Sequence, residues 1–318
     1  MNLPSVSAIV ACYKDGEAIP EMYQRLTTSL GQLGCEYEII FVDDSSPDDS
    51  WAIIQEISRT DSAVVGINHS RNFGSQFAFR SGMEISSMDS VVLLDGDLQD
   101  PPEVIPELYS AFCAGADIVY GVRAKREMSR FRESFYKVFY WLFSGLSEYP
   151  IPRNAGDFSV LSRRVVRLIL EFPERDFFFR SLRAYVGFHQ VGIEYFRPER
   201  AFGRSTNSLG KNINWARKAI FSSSTKPLRF VTNFGFWVSM LAILLAIWFV
   251  LLRVLFPENS APGMTLLSLL ILGLGGIQLL ALGVIGEYVG RILEEAKQRP
   301  APIRNSIIRA GIEEPEVR

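Results

Sequence analysis

Val91-Val92-Leu93-Leu94-Asp95-Gly96-Asp97-Leu98-Gln99-Asp100-Pro101-Pro102 begins as an apolar run and ends in acid. Four consecutive aliphatic residues with no polar member are the pattern of a strand buried on both faces. A strand that stops abruptly at two carboxylates one glycine apart places Asp95 and Asp97 at the carboxyl end of a parallel sheet, where such sheets bind ligands. Positions i and i+2 of an extended segment point the same way, and a glycine between them leaves room for a ligand against the backbone. Like charges held that close repel unless a cation joins them. Oxygen donors favour a hard ion, Mg2+ or Mn2+, which keeps a phosphate-bearing substrate as a further ligand. An acidic turn after a core strand is the competing reading of the triplet taken alone.

Upstream, Val6 to Cys12 is an apolar strand, followed by Ile19, Met22, Leu26 and Leu30 at helical spacing. Tyr37 to Val42 is a second strand and ends in Asp43-Asp44-Ser45-Ser46, again acid at a strand tip. Trp51 to Ser58 reads as helix, Ala63 to Asn68 as strand and Ser75 to Ser86 as helix. Downstream, Pro102 to Cys113 is a helix with proline in its first turn, and Asp117 to Gly121 a strand running out at Arg123. Strands alternating with helices predict right-handed crossovers and a mostly parallel sheet covered on both faces, an α/β fold. There is no Gly-x-Gly-x-x-Gly after the first strand and no Gly-Lys-Ser/Thr loop, so neither a dinucleotide fingerprint nor a P-loop is present.

Composition narrows the classes. The 318 residues carry a net charge of −2, which argues against a nucleic-acid-binding surface, and 48% are hydrophobic, which suggests a membrane part. Three separated cysteines without zinc-like spacing fit buried thiols in a reducing compartment. Two histidines exclude a His-rich metal site and make a Ser-His-Asp triad unattractive.

An ordered set of motifs resembles the inverting family 2 glycosyltransferases of the polyprenyl-phosphate type, which include dolichyl-phosphate mannose synthase and the bactoprenol glucosyltransferases. The set comprises Ala11-Cys12-Tyr13-Lys14-Asp15, Val42-Asp43-Asp44-Ser45-Ser46, Asp95 through Glu103, Gly156-Asp157-Phe158, Arg200-Ala201-Phe202-Gly203-Arg204-Ser205 and Gly286 to Ile292, and so covers nearly the whole chain. The resemblance implies a Rossmann-like, glycosyltransferase-A-type nucleotide-sugar domain. It implies that Ala11, Tyr13, Asp15, Val42 and Asp44 line the nucleobase and ribose site, and that Asp95, Asp97 and Gln99 hold Mg2+ or Mn2+ against the diphosphate. Asp157 is the expected catalytic carboxylate beside Asp97, as a base or as a residue that positions the acceptor. For Asp44 and Asp157 a capping or turn carboxylate is the alternative. Arg123, Arg132, Arg200, Arg204 and Ser205 are the candidates for phosphate contacts, since guanidinium forks bind phosphate bidentately. Many relatives carry Gly-Glu-Ser-Lys where this chain has Gly203-Arg204-Ser205-Thr206, so Arg204 stands in for a missing lysine. The implied partners are a UDP-hexose, UDP-glucose first, and a polyprenyl phosphate, with undecaprenyl phosphate first.

The membrane part follows from the residues. Phe230 to Leu252 and Asn259 to Gly286 carry no charged side chain, and at about 1.5 Å per residue the shorter spans roughly 35 Å, enough for a hydrocarbon core. Lys211, Arg217, Lys218, Lys226 and Arg229 precede the first run, and Arg291, Lys297, Arg299, Arg304 and Arg309 follow the second. The positive-inside rule therefore places both termini and the catalytic domain in the cytoplasm, on the cell membrane. The expected organisation is a glycosyltransferase domain over residues 1–209, with an aromatic, basic interface helix near 129–146, for which a core helix is the alternative. An amphipathic juxtamembrane helix at 210–228, transmembrane helices at 229–256 and 264–290, and a loosely ordered tail at 291–318 follow. Gly273, Gly275, Gly276, Gly283 and Gly286 allow close helix contact within the hairpin or between protomers, and a homo-oligomer is expected. A processive polysaccharide synthase should carry more membrane helices and a Gln-x-x-Arg-Trp motif, which Lys211 to Trp215 lacks; a non-catalytic scaffold has no need of Asp95, Asp97, Gln99 and Asp157 together.

Overall fold

The structure is a computed structural model and describes residues 3–124, 152, 154–174, 177–198, 226–255, 264–300 and 302–315. The predicted helix near 129–146 and all but the last three residues of the one at 210–228 lie outside them.

The chain alternates as the sequence predicts. β1 (Val6–Cys12), α1 (Ile19–Gly31), β2 (Tyr37–Asp43), α2 (Ser50–Thr60), β3 (Val64–His69), α3 (Ser75–Ile85) and β4 (Ser90–Asp95) follow one another. A short turn at Pro102–Val104 then leads into α4 (Ile105–Cys113) and β5 (Ile118–Arg123). β6 (Ala155–Ser162), α5 (Arg163–Glu171), α6 (Phe179–Tyr185) and β7 (Gln190–Tyr195) complete the first run. After two long helices, α7 (Lys226–Leu255) and α8 (Met264–Lys297), come β8 (Arg304–Arg309) and β9 (Ile312–Pro315).

Among the described residues the strands form one sheet in the order β7-β5-β6-β4-β1-β2-β3-β8-β9. The centre, β3-β2-β1-β4, is parallel. β6 enters antiparallel between β4 and β5, and β7 is parallel to β5. Every strand from β1 to β5, and β7, therefore ends at one edge, where β6 begins.

The continuous apolar strands are explained by what covers them. Along β1, Val6, Ala8, Val10 and Cys12 join a core with Leu26 of α1, Ile54 of α2 and Leu108 of α4. The alternate residues Ile9 and Ala11 join a second core with Phe79 of α3, Val166 of α5 and Leu182 of α6. With helices on both faces, each strand residue is buried on one side or the other, and alternation disappears.

The tail differs from the sequence expectation. Residues after Lys297 return to the sheet: β8 pairs antiparallel with β3, and β9 with β8. Ile308 is 1% exposed and fills the space over Gly66 beside Ile54, where a Cβ at position 66 would lie 2.7 Å from its Cγ2. The tail thereby covers the otherwise open edge of β3. Ile308→Ala should cost about 2–5 kcal/mol, the range for a buried Ile-to-Ala truncation, read as a lower melting temperature of the purified chain; an unchanged melt would mean that the hairpin does not hold the edge.

The chain divides into two compact units, one containing the sheet and residues 298–318, the other containing the two long helices. α7 and α8 pack against each other, and each includes a stretch long and apolar enough to cross a membrane, Lys226–Leu245 and Gly273–Lys297. A Cβ added at Gly273, Gly275, Gly276, Gly283 or Gly286 would meet open space among the described residues.

Candidate active site

The carboxyl edge of the sheet holds four of the seven non-glycine residues with left-handed φ among the described residues. Lys14, Ser45 and Leu98 have left-handed φ values of 59°, 56° and 59°, and each lies in the loop that follows β1, β2 or β4. Asn154, at 61°, precedes β6 at the same edge. Non-glycine residues held there cost roughly 1–2 kcal/mol each, and such strain gathers where loops must present groups to a ligand.

Asp95 is the last residue of β4, and Asp97 follows one glycine later. The Gly96 amide donates to the Ala11 carbonyl at 2.8 Å, locking the tip of β4 to the tip of β1. A Cβ at Gly96 would lie 2.9 Å from that carbonyl and 3.1 Å from Asp15 Oδ2, so only glycine allows the approach. The Gln99 amide donates to Asp97 Oδ1 at 3.1 Å and orients it, while the Gln99 side chain reaches the Pro198 carbonyl at 3.5 Å. Asp100, 1% exposed, accepts from the Tyr195 hydroxyl and faces Arg197 at 3.8 Å. Burial first, then the charges of Asp100, Asp157 and Asp97, push the Asp95 carboxyl up to about 8. An acid so perturbed at the tip of a sheet is a site that favours a cation.

Asp157 sits on β6 beside Gly156. Arg180 of α6 grips its carboxylate with both prongs, Nε to Oδ1 at 2.9 Å and Nη2 to Oδ2 at 3.0 Å. Gln76 of α3 donates to Oδ2 at 3.2 Å. Burial alone would raise this acid, yet the Arg180 guanidinium, with Arg183 behind it and the Gln76 amide, brings it below the ordinary carboxylate value. Arg183 is 1% exposed, donates to the Gly156 carbonyl at 3.1 Å and stacks over the Tyr120 ring. Arg123 flanks Gly156 from the other side, its Nη2 2.9 Å from where a Cβ would be. Three buried guanidinium nitrogens, Arg123 Nε, Arg183 Nη2 and Arg197 Nε, have no hydrogen-bond partner among the described residues.

The other predicted residues lie at the tips of β1 and β2. Ala11 contributes its carbonyl, Tyr13 is 37% exposed, and Asp15 accepts from the Tyr13 amide at 3.0 Å. The Val42 side chain is fully buried. Asp44 is 2% exposed and heavily engaged: it accepts from the Phe73 amide at 2.9 Å, the Gly74 amide at 2.7 Å and His69 Nδ1 at 2.8 Å. His69 Nε2 in turn meets Ser81 Oγ at 2.7 Å. Arg132, Arg200, Arg204 and Ser205 lie outside the described residues.

Asp95, Asp97, Asp157 and Arg123 are thus brought to one end of the sheet. Arg180, Arg183 and Gln76 belong to the same constellation and were not singled out from the sequence. Arg180 stands 23 residues from Asp157, and its pairing depends on a tertiary approach that no local pattern records.

The family model for glycosyl transferase family 2 matches residues 7–170, from β1 to α5. The chain belongs to glycosyl transferase family 2. It is 39% identical over 299 residues to an uncharacterized glycosyltransferase of Bacillus subtilis (strain 168), covering 92% of this chain and 91% of that one. It is 38% identical over 296 residues to the bactoprenol glucosyl transferase of Shigella phage SfV, covering 93% and 96%. A solved structure of glucosyl-3-phosphoglycerate synthase from Mycobacterium tuberculosis, in complex with Mn2+, UDP and glucosyl-3-phosphoglycerate, overlaps 69% of this chain and 78% of its own at a TM-score of 0.41 and 16% identity.

Membership makes this family 2 chain a glycosyltransferase, and the crowded carboxylates make the sheet edge its candidate site. Its donor set is suited to a divalent ion only in part. Among the described residues no three His, Cys, Asp or Glu side chains converge as a ready-made metal shell. Asp95 and Asp97 supply two carboxylates, so an ion held there would take its remaining oxygens from substrate and water, which is how a magnesium-like ion binds a diphosphate.

Proposed function

We propose that the protein is a membrane-anchored, inverting glycosyltransferase that moves glucose from UDP-glucose to undecaprenyl phosphate, giving a polyprenyl-phosphate monosaccharide. The observation that carries this reading is the pairing of Asp157 with Arg180 opposite Asp95 and Asp97. A hydroxyl acceptor needs a base able to take its proton near neutral pH, and a carboxylate held low by a guanidinium is poorly matched to that task. A phosphate acceptor is already anionic and needs orientation and compensating charge instead, which the arginines around Gly156 and Asp157 provide. The 38% identity to a bactoprenol glucosyl transferase favours the same acceptor and sugar.

In this reading Asp95 and Asp97, with Gln99 beside them, hold Mg2+ or Mn2+ against the diphosphate. The ion supplies charge neutralisation for the departing nucleoside diphosphate. Ala11, Tyr13, Asp15, Val42 and Asp44 form the floor and wall of the nucleotide site, Val42 through its main chain. Arg123 meets phosphate from β5, and Arg132, Arg200, Arg204 and Ser205 are its proposed partners. The phosphate oxygen of the lipid attacks the anomeric carbon from the face opposite the diphosphate, one bond forms as the other breaks, and the configuration inverts.

The anchor is α7 and α8, with the catalytic unit and both termini on the cytoplasmic face of the cell membrane. The return of β8 to β3 supports that topology: residues 304–309 lie in the same sheet as residues 6–195, so the intervening chain must cross a membrane an even number of times. Gly273, Gly275, Gly276, Gly283 and Gly286 of α8 allow close helix contact within the hairpin or between protomers, the latter giving a homo-oligomer.

The test is transfer of labelled sugar from UDP-glucose to undecaprenyl phosphate by the purified full chain with Mg2+ or Mn2+. Formation of a lipid-phosphate glucoside, abolished by EDTA and by Asp97→Asn, is the expected result. UDP release without any lipid product would overturn the acceptor.

A further inference from the structure

Gln76 is not a member of any motif singled out above, yet its side chain joins three elements. It lies in the first turn of α3, donates from Nε2 to Asp157 Oδ2 on β6 at 3.2 Å, and accepts at Oε1 from the Phe179 amide at the start of α6 at 2.9 Å. The two contacts fix each other. The Phe179 N–H can only donate, so the amide oxygen must face it, and the NH2 group is then forced toward Asp157. A carboxylate accepts that hydrogen bond; a carboxylic acid whose hydrogen pointed there would meet two donors. The orientation imposed by Phe179 thus makes the site complementary to ionised Asp157, in the same sense as the Arg180 fork.

The base of Gln76 is itself held. α3 begins after Gly74, whose φ of 98° suits glycine, and the Phe73 and Gly74 amides both donate to Asp44. Asp44 is oriented by His69, and His69 by Ser81 from within α3. A carboxylate at the tip of β2 therefore fixes the loop and helix start that present Gln76 to Asp157.

We infer that Gln76 is a positioning residue of the transfer step, orienting the ionised Asp157 carboxylate by a donor whose direction the Phe179 amide dictates. This inference rests on the proposal that Asp157 takes part in transfer. Its role separates from a structural one, because the bond to Asp157 can be removed while the bond from the Phe179 amide is kept. Gln76→Glu keeps the acceptor for Phe179 and replaces the donor by a second carboxylate against Asp157; Gln76→Met removes both bonds at similar volume.

The experiment measures UDP release and lipid-linked product together, at saturating and limiting UDP-glucose, for the parent, both variants and Gln76→His, whose ring can donate to Asp157. Reading UDP release as well as product keeps the test valid if the acceptor is other than polyprenyl phosphate. In that case the parent would release UDP without forming lipid product. The expected result is a kcat reduced about 10–100-fold in both Gln76→Glu and Gln76→Met, the loss of a charge-assisted bond to the reacting constellation. KM for UDP-glucose should stay within about twofold, since the donor site is untouched, and Gln76→His should recover part of kcat. A Gln76→Glu enzyme with parental kcat would assign the residue to anchoring α6 alone and overturn the inference. So would a loss confined to KM.

Discussion

Arg180→Met should lose about 100-fold or more in transfer and should melt roughly 6–12 °C below the parent at neutral pH. The side chain is mostly enclosed, 21% exposed against 9% for Asp157, so its removal strands a carboxylate that has little water to turn to. Breaking a buried pair from one side costs about 3 kcal/mol, and a domain of this size loses roughly 2–4 °C per kcal/mol. The sign of the pH dependence follows from the acid. In the parent, burial pushes Asp157 up, but Arg180, Arg183 and Gln76 bring it below the unfolded value of about 3.9, so its contribution is present above that pH and is lost only as pH falls through the lower folded value. In the variant the burial remains and the main counter-charge is gone. Asp157 then takes up a proton at a pH where the parent does not, and the deficit in melting temperature should shrink as pH is lowered from 7 toward about 5. Arg180→Lys keeps the charge without the fork and should fall between the two. Parallel melting curves for parent and Arg180→Met across that range would show that Asp157 is not governed by this pair.

The contrast between Asp95 and Asp157 explains which parts of the site could be read from sequence. Asp95-Gly96-Asp97 advertises itself because its geometry is local: a buried strand must end, and the residues at its tip are placed by the strand. The same locality made β1, Val6 to Cys12, legible at both ends, and gave β2 to β4 to within a residue or two. β6 was not anticipated, because Ala155-Gly156-Asp157-Phe158-Ser159 has neither a long apolar run nor a clear two-residue alternation. Its place between β4 and β5 comes from pairing partners far away in the chain. β8 failed for the same reason: Arg304-Asn305-Ser306-Ile307-Ile308-Arg309 reads as a polar tail until β3 provides an edge for it. The Asp157 neighbourhood is assembled by three elements, α3, β6 and α6, that meet only after the sheet is complete, so Gln76 and Arg180 carry no signature in their own neighbourhoods.

Asp95→Asn is expected to move activity and stability in opposite directions. The parent carboxyl is raised to about 8, first by burial and then by Asp100, Asp157 and Asp97. An acid with a folded pKa above its unfolded one holds a proton in the native state that it gives up on unfolding. Stability therefore falls as pH rises from about 4 to 8, and the loss is complete above the folded pKa. Asparagine removes that burden at nearly constant volume. The variant should melt with the parent at about pH 4 and below, above it from pH 5 upward, and furthest above it at pH 8 and beyond. Transfer should nevertheless drop by about 1,000-fold or more, because one of the two carboxylates proposed to hold the ion against the diphosphate is gone. A thermal shift on adding Mn2+ with UDP, expected in the parent from mass action, should be absent in the variant. A variant no more stable than the parent at pH 8 would mean that the carboxylates are not in conflict, and retained transfer would remove Asp95 from the site. The two outcomes share one cause. Burial raises Asp95 and Asp100 at one end of the sheet, where Asp97 and Asp157 add like charge against Asp95, so an ionised Asp95 destabilises the ligand-free fold, and that charge is what a cation must meet when it binds.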